Sequence, residues 1–156
     1  KELRENAVKL KLSAVRGVVQ GKKIAVVDDS IVRGTTSKQI CQMLKNAGAK
    51  EIHLRIASPP FRFPCFYGID ISTRTELMAA HYSVDEMRKM LGVDSLGFLS
   101  VDSLIKAINI PDAEDAPFGG LTVAYFNGQY PTKLDDYETG YLASLDAQEK
   151  LELGQK

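Results

Sequence analysis

The sequence has no tryptophan, only two cysteines, and no excess charge of either sign, its 20 Lys+Arg matching its 20 Asp+Glu. Each absence excludes something. Cys41 and Cys65 are too few for a disulfide scaffold or for a closed four-cysteine metal site. No apolar stretch approaches the roughly 20 residues of a membrane span, so an integral membrane protein is not expected. The two histidines, His53 and His81, lie too far apart to form a local metal pair and read as surface or internally satisfied side chains. The chain opens Lys1-Glu2-Leu3-Arg4 with neither an initiator Met nor a signal-peptide pattern. The expectation is of a piece of something longer. What is present is ordinary for a globular protein: 44% of the residues are apolar, and 156 residues allow one domain with its own core. A wholly disordered chain is thereby excluded.

The charge balance hides an asymmetry. Residues 1–23 hold seven basic groups and two acidic ones, and the remaining residues carry the opposite excess. The basic groups are diluted by Leu, Val and Ala, and no aromatic lies among them to stack on bases, so a nucleic-acid arm is not expected. Along the chain, strands alternate with helices. The apolar run 24–27 reads as a strand buried on both faces of a parallel sheet. Ile40, Met43, Leu44 and Ala47 share one helical face, with Gly48 placed to end that helix. Residues 51–57 alternate as a second, more exposed strand, and the three elements form a βαβ unit. Pro59-Pro60 makes 58–68 a loop. Thr73/Glu76 and Ser83/Glu86 both fit the capping box, predicting two short helices, the second ending near Gly92. A strand over 96–99 and a helix over 101–108 follow, the latter with Leu104, Ile105 and Ile108 on one face. Residues 109–119 read as a loop, 121–126 as a strand, and Asn127-Gly128 as a hairpin turn. Tyr141, Leu142 and Leu145 make the tail weakly helical. Tyr125, Phe126 and Tyr130 read as a cross-strand aromatic cluster.

The informative segment is 24–37, Ile-Ala-Val-Val-Asp-Asp-Ser-Ile-Val-Arg-Gly-Thr-Thr-Ser. A buried strand delivers Asp28 and Asp29 at its C-terminal end, where open α/β sheets place ligands. The short loop beyond it supplies Gly34 for close backbone approach and Ser30, Thr35, Thr36 and Ser37 as hydroxyl donors. The helix that follows offers unpaired N–H groups and the positive end of its dipole to an anion. Two carboxylates would repel that anion, so they face another part of the ligand, sugar hydroxyls or a bound Mg²⁺. A phosphate at one end with a diol beside it describes a ribose 5-phosphate. Neither a P-loop nor a dinucleotide fingerprint fits this spacing.

The string Val27 to Ser37 resembles the phosphoribosyl-pyrophosphate (PRPP) motif of type I phosphoribosyltransferases, and in its full form that of the amidophosphoribosyltransferase family. Further resemblances are Ala47-Gly48-Ala49-Lys50, Ser58-Pro59-Pro60, Pro64 through Asp70, Glu76-Leu77, Phe98-Leu99-Ser100 and Tyr130-Pro131-Thr132. The resemblance implies a parallel sheet flanked by helices, incomplete at its N-terminal side. Its parts would be the end of a mobile catalytic loop (1–23), the C-terminal part of the transferase domain (24–132) and a tail (133–156). It also implies a reaction of the parent enzyme: PRPP and glutamine-derived ammonia give 5-phosphoribosylamine and pyrophosphate, the first step of purine synthesis. In that reaction Asp28 and Asp29 handle the ribose hydroxyls and Mg²⁺, Arg33 to Ser37 cradle the 5′-phosphate, and Lys11 contacts pyrophosphate. The resemblance further implies purine nucleotides as feedback inhibitors and a cytoplasmic location. Cys65 falls at one ligand position of the iron–sulfur cluster some members hold, but Gly119 and Thr122 stand where a later cysteine pair would, so no cluster is expected.

The resemblance covers only the last third or so of the family enzyme, and no glutaminase segment is recognisable. The chain alone is therefore expected to keep the ribose-phosphate site with little or no transferase activity. Missing strands would leave one side of the 24–27 strand open, predicting a homo-oligomer or a sheet completed by another segment. The alternatives are another type I phosphoribosyltransferase, or a nucleotide-sensing regulator on the same fold.

Overall fold

The computed structural model describes residues 13–69, 71, 73–110 and 116–135. A short helix α1 (Arg16–Val19) leads into strand β1 (Lys23–Asp28), and helix α2 (Thr35–Asn46) crosses to strand β2 (Glu51–Ile56). A 3-10 turn (Arg74–Glu76), helix α3 (Met78–His81) and helix α4 (Val84–Leu91) return the chain to strand β3 (Ser95–Phe98). Helix α5 (Val101–Ile108), a second 3-10 turn (Pro117–Gly120) and helix α6 (Ala124–Asn127) complete the described elements. The three strands are parallel in the order β1-β2-β3. No helix among the described residues is long and apolar enough to cross a membrane.

The core lies where the apolar faces of α2 and α4 meet the sheet. Ile52, Leu54 and Ile56 of β2 pack with Ile31, Cys41, Met87, Leu91 and Val93, all buried. Burial pushes the Cys41 thiol above its ordinary pKa, as befits a packing residue. Asp94 fixes the start of the β2–β3 pair: its carboxylate accepts the Ile52 N–H at 2.7 Å while its own N–H donates to the Ile52 carbonyl at 2.9 Å. On the other face of the sheet, Glu51 pairs with Lys23 at 2.9 Å and with His53 at 3.2 Å, and the His53 ring meets Ser95 Oγ at 2.8 Å. The Lys23 bond holds the Glu51 carboxyl below its usual range. His81 likewise has a partner, the Arg74 carbonyl at 3.2 Å.

Five expectations need correction. Exposure of the first two strands is the reverse of that expected: β2 is central and buried, whereas β1 pairs with β2 alone among the described residues and leaves Val27 75% exposed. The expected strand over 121–126 is instead irregular backbone running into α6, with Val123 and Ala124 buried and the Tyr125 carbonyl accepting from the N–H groups of Arg62 and Phe63. Asn127-Gly128 closes that helix rather than a hairpin, because the left-handed conformation of Gly128 (φ 75°) serves a helix C-cap as readily as a hairpin turn. The expected cross-strand aromatic cluster is replaced by packing on loop aromatics: Phe61 packs on Tyr125 and Phe126, and Tyr130 on Phe66 and Tyr67. Lastly, Thr73 caps nothing; the segment makes one 3-10 turn, and Leu77 (φ −85°, ψ 111°) breaks it before α3.

The second capping box forms as expected. Ser83 Oγ accepts the Glu86 N–H, and the Glu86 carboxylate accepts both the Ser83 N–H at 2.8 Å and its hydroxyl at 2.7 Å. Those bonds from Ser83 hold the Glu86 carboxyl below its usual range. A depressed folded pKa contributes stability above the unfolded value and loses it as pH falls through the folded one. Ser83→Ala is therefore expected to cost about 1 kcal/mol at neutral pH. The gap between wild type and variant, read from urea midpoints, should narrow as Glu86 is protonated in acid.

Candidate functional site

The ladder between β1 and β2 carries past the strand ends, the Ala57 N–H donating to the Asp28 carbonyl at 2.9 Å, so the acid pair leaves the sheet on a fixed backbone. The two carboxylates are then tied locally. Asp28 accepts the Asp29 N–H at 3.1 Å through one oxygen and the Ser37 hydroxyl at 3.4 Å through the other. Asp29 Oδ1 accepts the Ser30 N–H at 2.6 Å and its hydroxyl at 3.3 Å, bonds that leave Oδ2 unused. Ile31, 1% exposed, pins the loop to the core, and the Val32 carbonyl accepts the Met78 N–H at 2.8 Å.

Gly34 makes the turn into α2. It sits at the N-cap with φ 73°, a region costly for any residue with a Cβ, and a Cβ there would lie 2.6 Å from Met78 Sδ. With Gly34 at this position no side chain caps α2, and no acidic residue occupies its first turn. The first-turn N–H groups and the dipole's positive end are left to a ligand. Residues 28–37, together with Ile69 and Ile71, line one open cavity of about 510 Å³. Thr35 and Thr36 are exposed beside it, whereas Ser37 is buried and spends its hydroxyl on Asp28.

Every site residue expected in 28–37 is thus brought to one cavity. Lys11 lies outside the described residues. Three contributors escaped the sequence reading. Ile69 and Ile71 form an apolar wall, and the neighbouring Tyr67 hydroxyl meets Thr132 Oγ1 at 2.9 Å. Glu76, read as a capping residue, accepts from Arg33 Nε at 3.0 Å and from Arg33 Nη2. Cys65 is buried, its sulfur accepting the N–H groups of Tyr67 and Ile69. Among the described residues no group of three His, Cys, Asp or Glu side chains is arranged to hold a metal ion. The acid pair nonetheless fits Mg²⁺, which needs only one or two protein carboxylates when substrate oxygens and water supply the rest.

No family model matches the chain. Amidophosphoribosyltransferase from Staphylococcus aureus is 54% identical over 149 residues, 96% of this chain and 30% of the relative. The Bacillus subtilis protein of the same name is 54% identical over 132 residues. The chain therefore spans about 30% of the length of the curated relatives it matches. Among solved structures, glutamine PRPP amidotransferase from B. subtilis complexed with ADP and GMP superposes with a TM-score of 0.74 at 54% identity, covering 85% of this chain and 29% of that one. A structure described as the allosteric regulatory enzyme of purine biosynthesis gives 0.77 at 50% identity, covering 95% and 32%. The resemblance expected from the motif is present along nearly the whole chain, and the three parallel strands flanked by helices are a partial sheet of that type I transferase fold.

Proposed function

We propose that this chain belongs to the amidophosphoribosyltransferases and carries the ribose-phosphate part of their transferase site. One observation supports this most directly. An acid pair at the end of β1 and the uncapped, hydroxyl-rich N-terminus of α2 share a single cavity, and the chain is 54% identical to proteins of that name. In this reading the first-turn N–H groups of α2, with Thr35, Thr36 and Arg33, hold the 5′-phosphate, while Asp28 and Asp29 face the ribose diol. Ser30 and Ser37 keep the two carboxylates turned into place. Bound at Asp28 and Asp29, Mg²⁺ would neutralise phosphate charge.

The reaction proposed for the whole protein is displacement of pyrophosphate from C1 of PRPP by ammonia drawn from glutamine. It requires no nucleophile on these residues; their part is to fix the ribose and to keep charge and water in order around it. Residues 1–23 would be the end of a basic mobile lid, with Lys11 on the departing pyrophosphate, and residues 24–132 the transferase portion, followed by a tail over 133–156. Purine nucleotides are proposed as regulators, on the strength of the B. subtilis relative's ADP and GMP complex. The location proposed is cytoplasmic. A homo-oligomer, or a sheet completed by another segment, is proposed because β1 pairs only with β2 among the described residues. Sedimentation showing a monodisperse monomer would count against the oligomer.

Calorimetric titration tests the central reading. The chain is expected to bind ribose 5-phosphate saturably and PRPP more tightly when Mg²⁺ is present. Failure to bind either would overturn it, and binding of AMP or GMP alone would point to a nucleotide sensor instead.

A further inference from the structure

The cation of the loop is held by a residue that is no part of the motif. Arg33 lines the cavity, and its guanidinium is gripped along the Nε–Nη2 edge by Glu76, 43 positions downstream. A guanidinium carries five N–H donors in a fixed fork. Glu76 takes one from Nε and one from Nη2, leaving both hydrogens of Nη1 for another acceptor. The same short segment braces the loop twice more, through the Met78 N–H on the Val32 carbonyl and the Met78 sulfur beneath Gly34. The loop's charge and its backbone are thus both tied to residues 76–78 before any ligand arrives.

We propose that Glu76 is a positioning residue, which orients Arg33 so that its Nη1 edge is presented to the ligand phosphate. This rests on the phosphoribose reading above. The Arg33–Glu76 pair carries no net charge, so what Glu76 contributes is orientation. Ordering the long side chain in advance removes much of the rotamer entropy that binding would otherwise have to overcome. A carboxylate that merely competed with phosphate for Arg33 would give the opposite sign.

The test titrates the purified chain with ribose 5-phosphate, comparing wild type, E76Q and E76D. It also follows the Arg33 ¹⁵Nε–H signal without ligand. E76Q is expected to weaken ribose 5-phosphate binding about tenfold, with part recovered in E76D. The Nε–H signal, protected from solvent exchange in the wild type, should lose that protection in E76Q. R33K guards against a folding defect in E76Q: if Glu76 acts through Arg33, R33K and R33K/E76Q bind equally. E76Q binding as tightly as wild type, or more tightly, overturns the proposal while leaving the phosphoribose reading intact. A wild-type chain that binds no ribose 5-phosphate overturns both.

Discussion

Gly34→Ala is expected to destabilise the chain by about 2–4 kcal/mol and to weaken ribose 5-phosphate binding at least about tenfold. Two costs combine. The native φ of 73° is unfavourable for alanine, by about 1–2 kcal/mol. The added methyl would lie 2.6 Å from Met78 Sδ, a buried atom in the middle of its side chain rather than at a free end. Methionine adapts better than most neighbours, but Met78 is part of the main core cluster, so its displacement is felt at Ile31 and Leu91. The binding loss has a separate origin. Relaxing Gly34 toward negative φ rotates the first-turn N–H groups of α2 away from the cavity they serve. A double-mutant cycle with Met78→Ala, followed by urea unfolding, separates the two costs: in the Met78→Ala background the clash disappears and only the torsional part of the Gly34→Ala penalty remains. Wild-type stability and affinity in Gly34→Ala would refute the argument.

That glycine belongs to the stretch most legible in the sequence. Residues 24–37 could be read because every level agrees there: an apolar run too short for a helix, two acids at its end, a single glycine, hydroxyls, and then helical periodicity. The second capping box was equally legible, because Ser83 and Glu86 satisfy each other within one turn. What could not be read depends on partners distant in sequence. Val26 and Leu54 look alike as residues, and only the strand order decides that β2 is central and β1 at the edge. Glu76 fits a capping pattern locally, yet its carboxylate goes to Arg33, a far stronger donor than a backbone N–H. Residues 121–126 have strand-like composition, but among the described residues no strand pairs with them, and their buried groups settle into a helical turn against Phe61. Ile69 reaches the cavity through a loop whose path no periodicity announces.

Replacing both acids, Asp28→Asn with Asp29→Asn, is expected to separate the two halves of the site. With Mg²⁺ present, PRPP affinity should fall about 100-fold, the equivalent of about 2.7 kcal/mol, since the charged groups proposed to hold the metal and the diol are gone. Without Mg²⁺, affinity for ribose 5-phosphate should change no more than a few-fold, because the Asn amides still hydrogen-bond the ribose diol while two negative charges leave the neighbourhood of the phosphate. The amides keep the local framework: an Asn oxygen at position 28 still accepts the Asp29 N–H and the Ser37 hydroxyl, and one at position 29 still accepts the Ser30 N–H. This is what makes the comparison informative. A loop that had merely collapsed would lose both ligands together, with or without metal. Carboxylates that served only to anchor Ser30 and Ser37 would leave PRPP binding untouched. Only carboxylates that hold the metal through their charge separate the two ligands in this way, and calorimetry in the presence and absence of Mg²⁺ reads that separation directly.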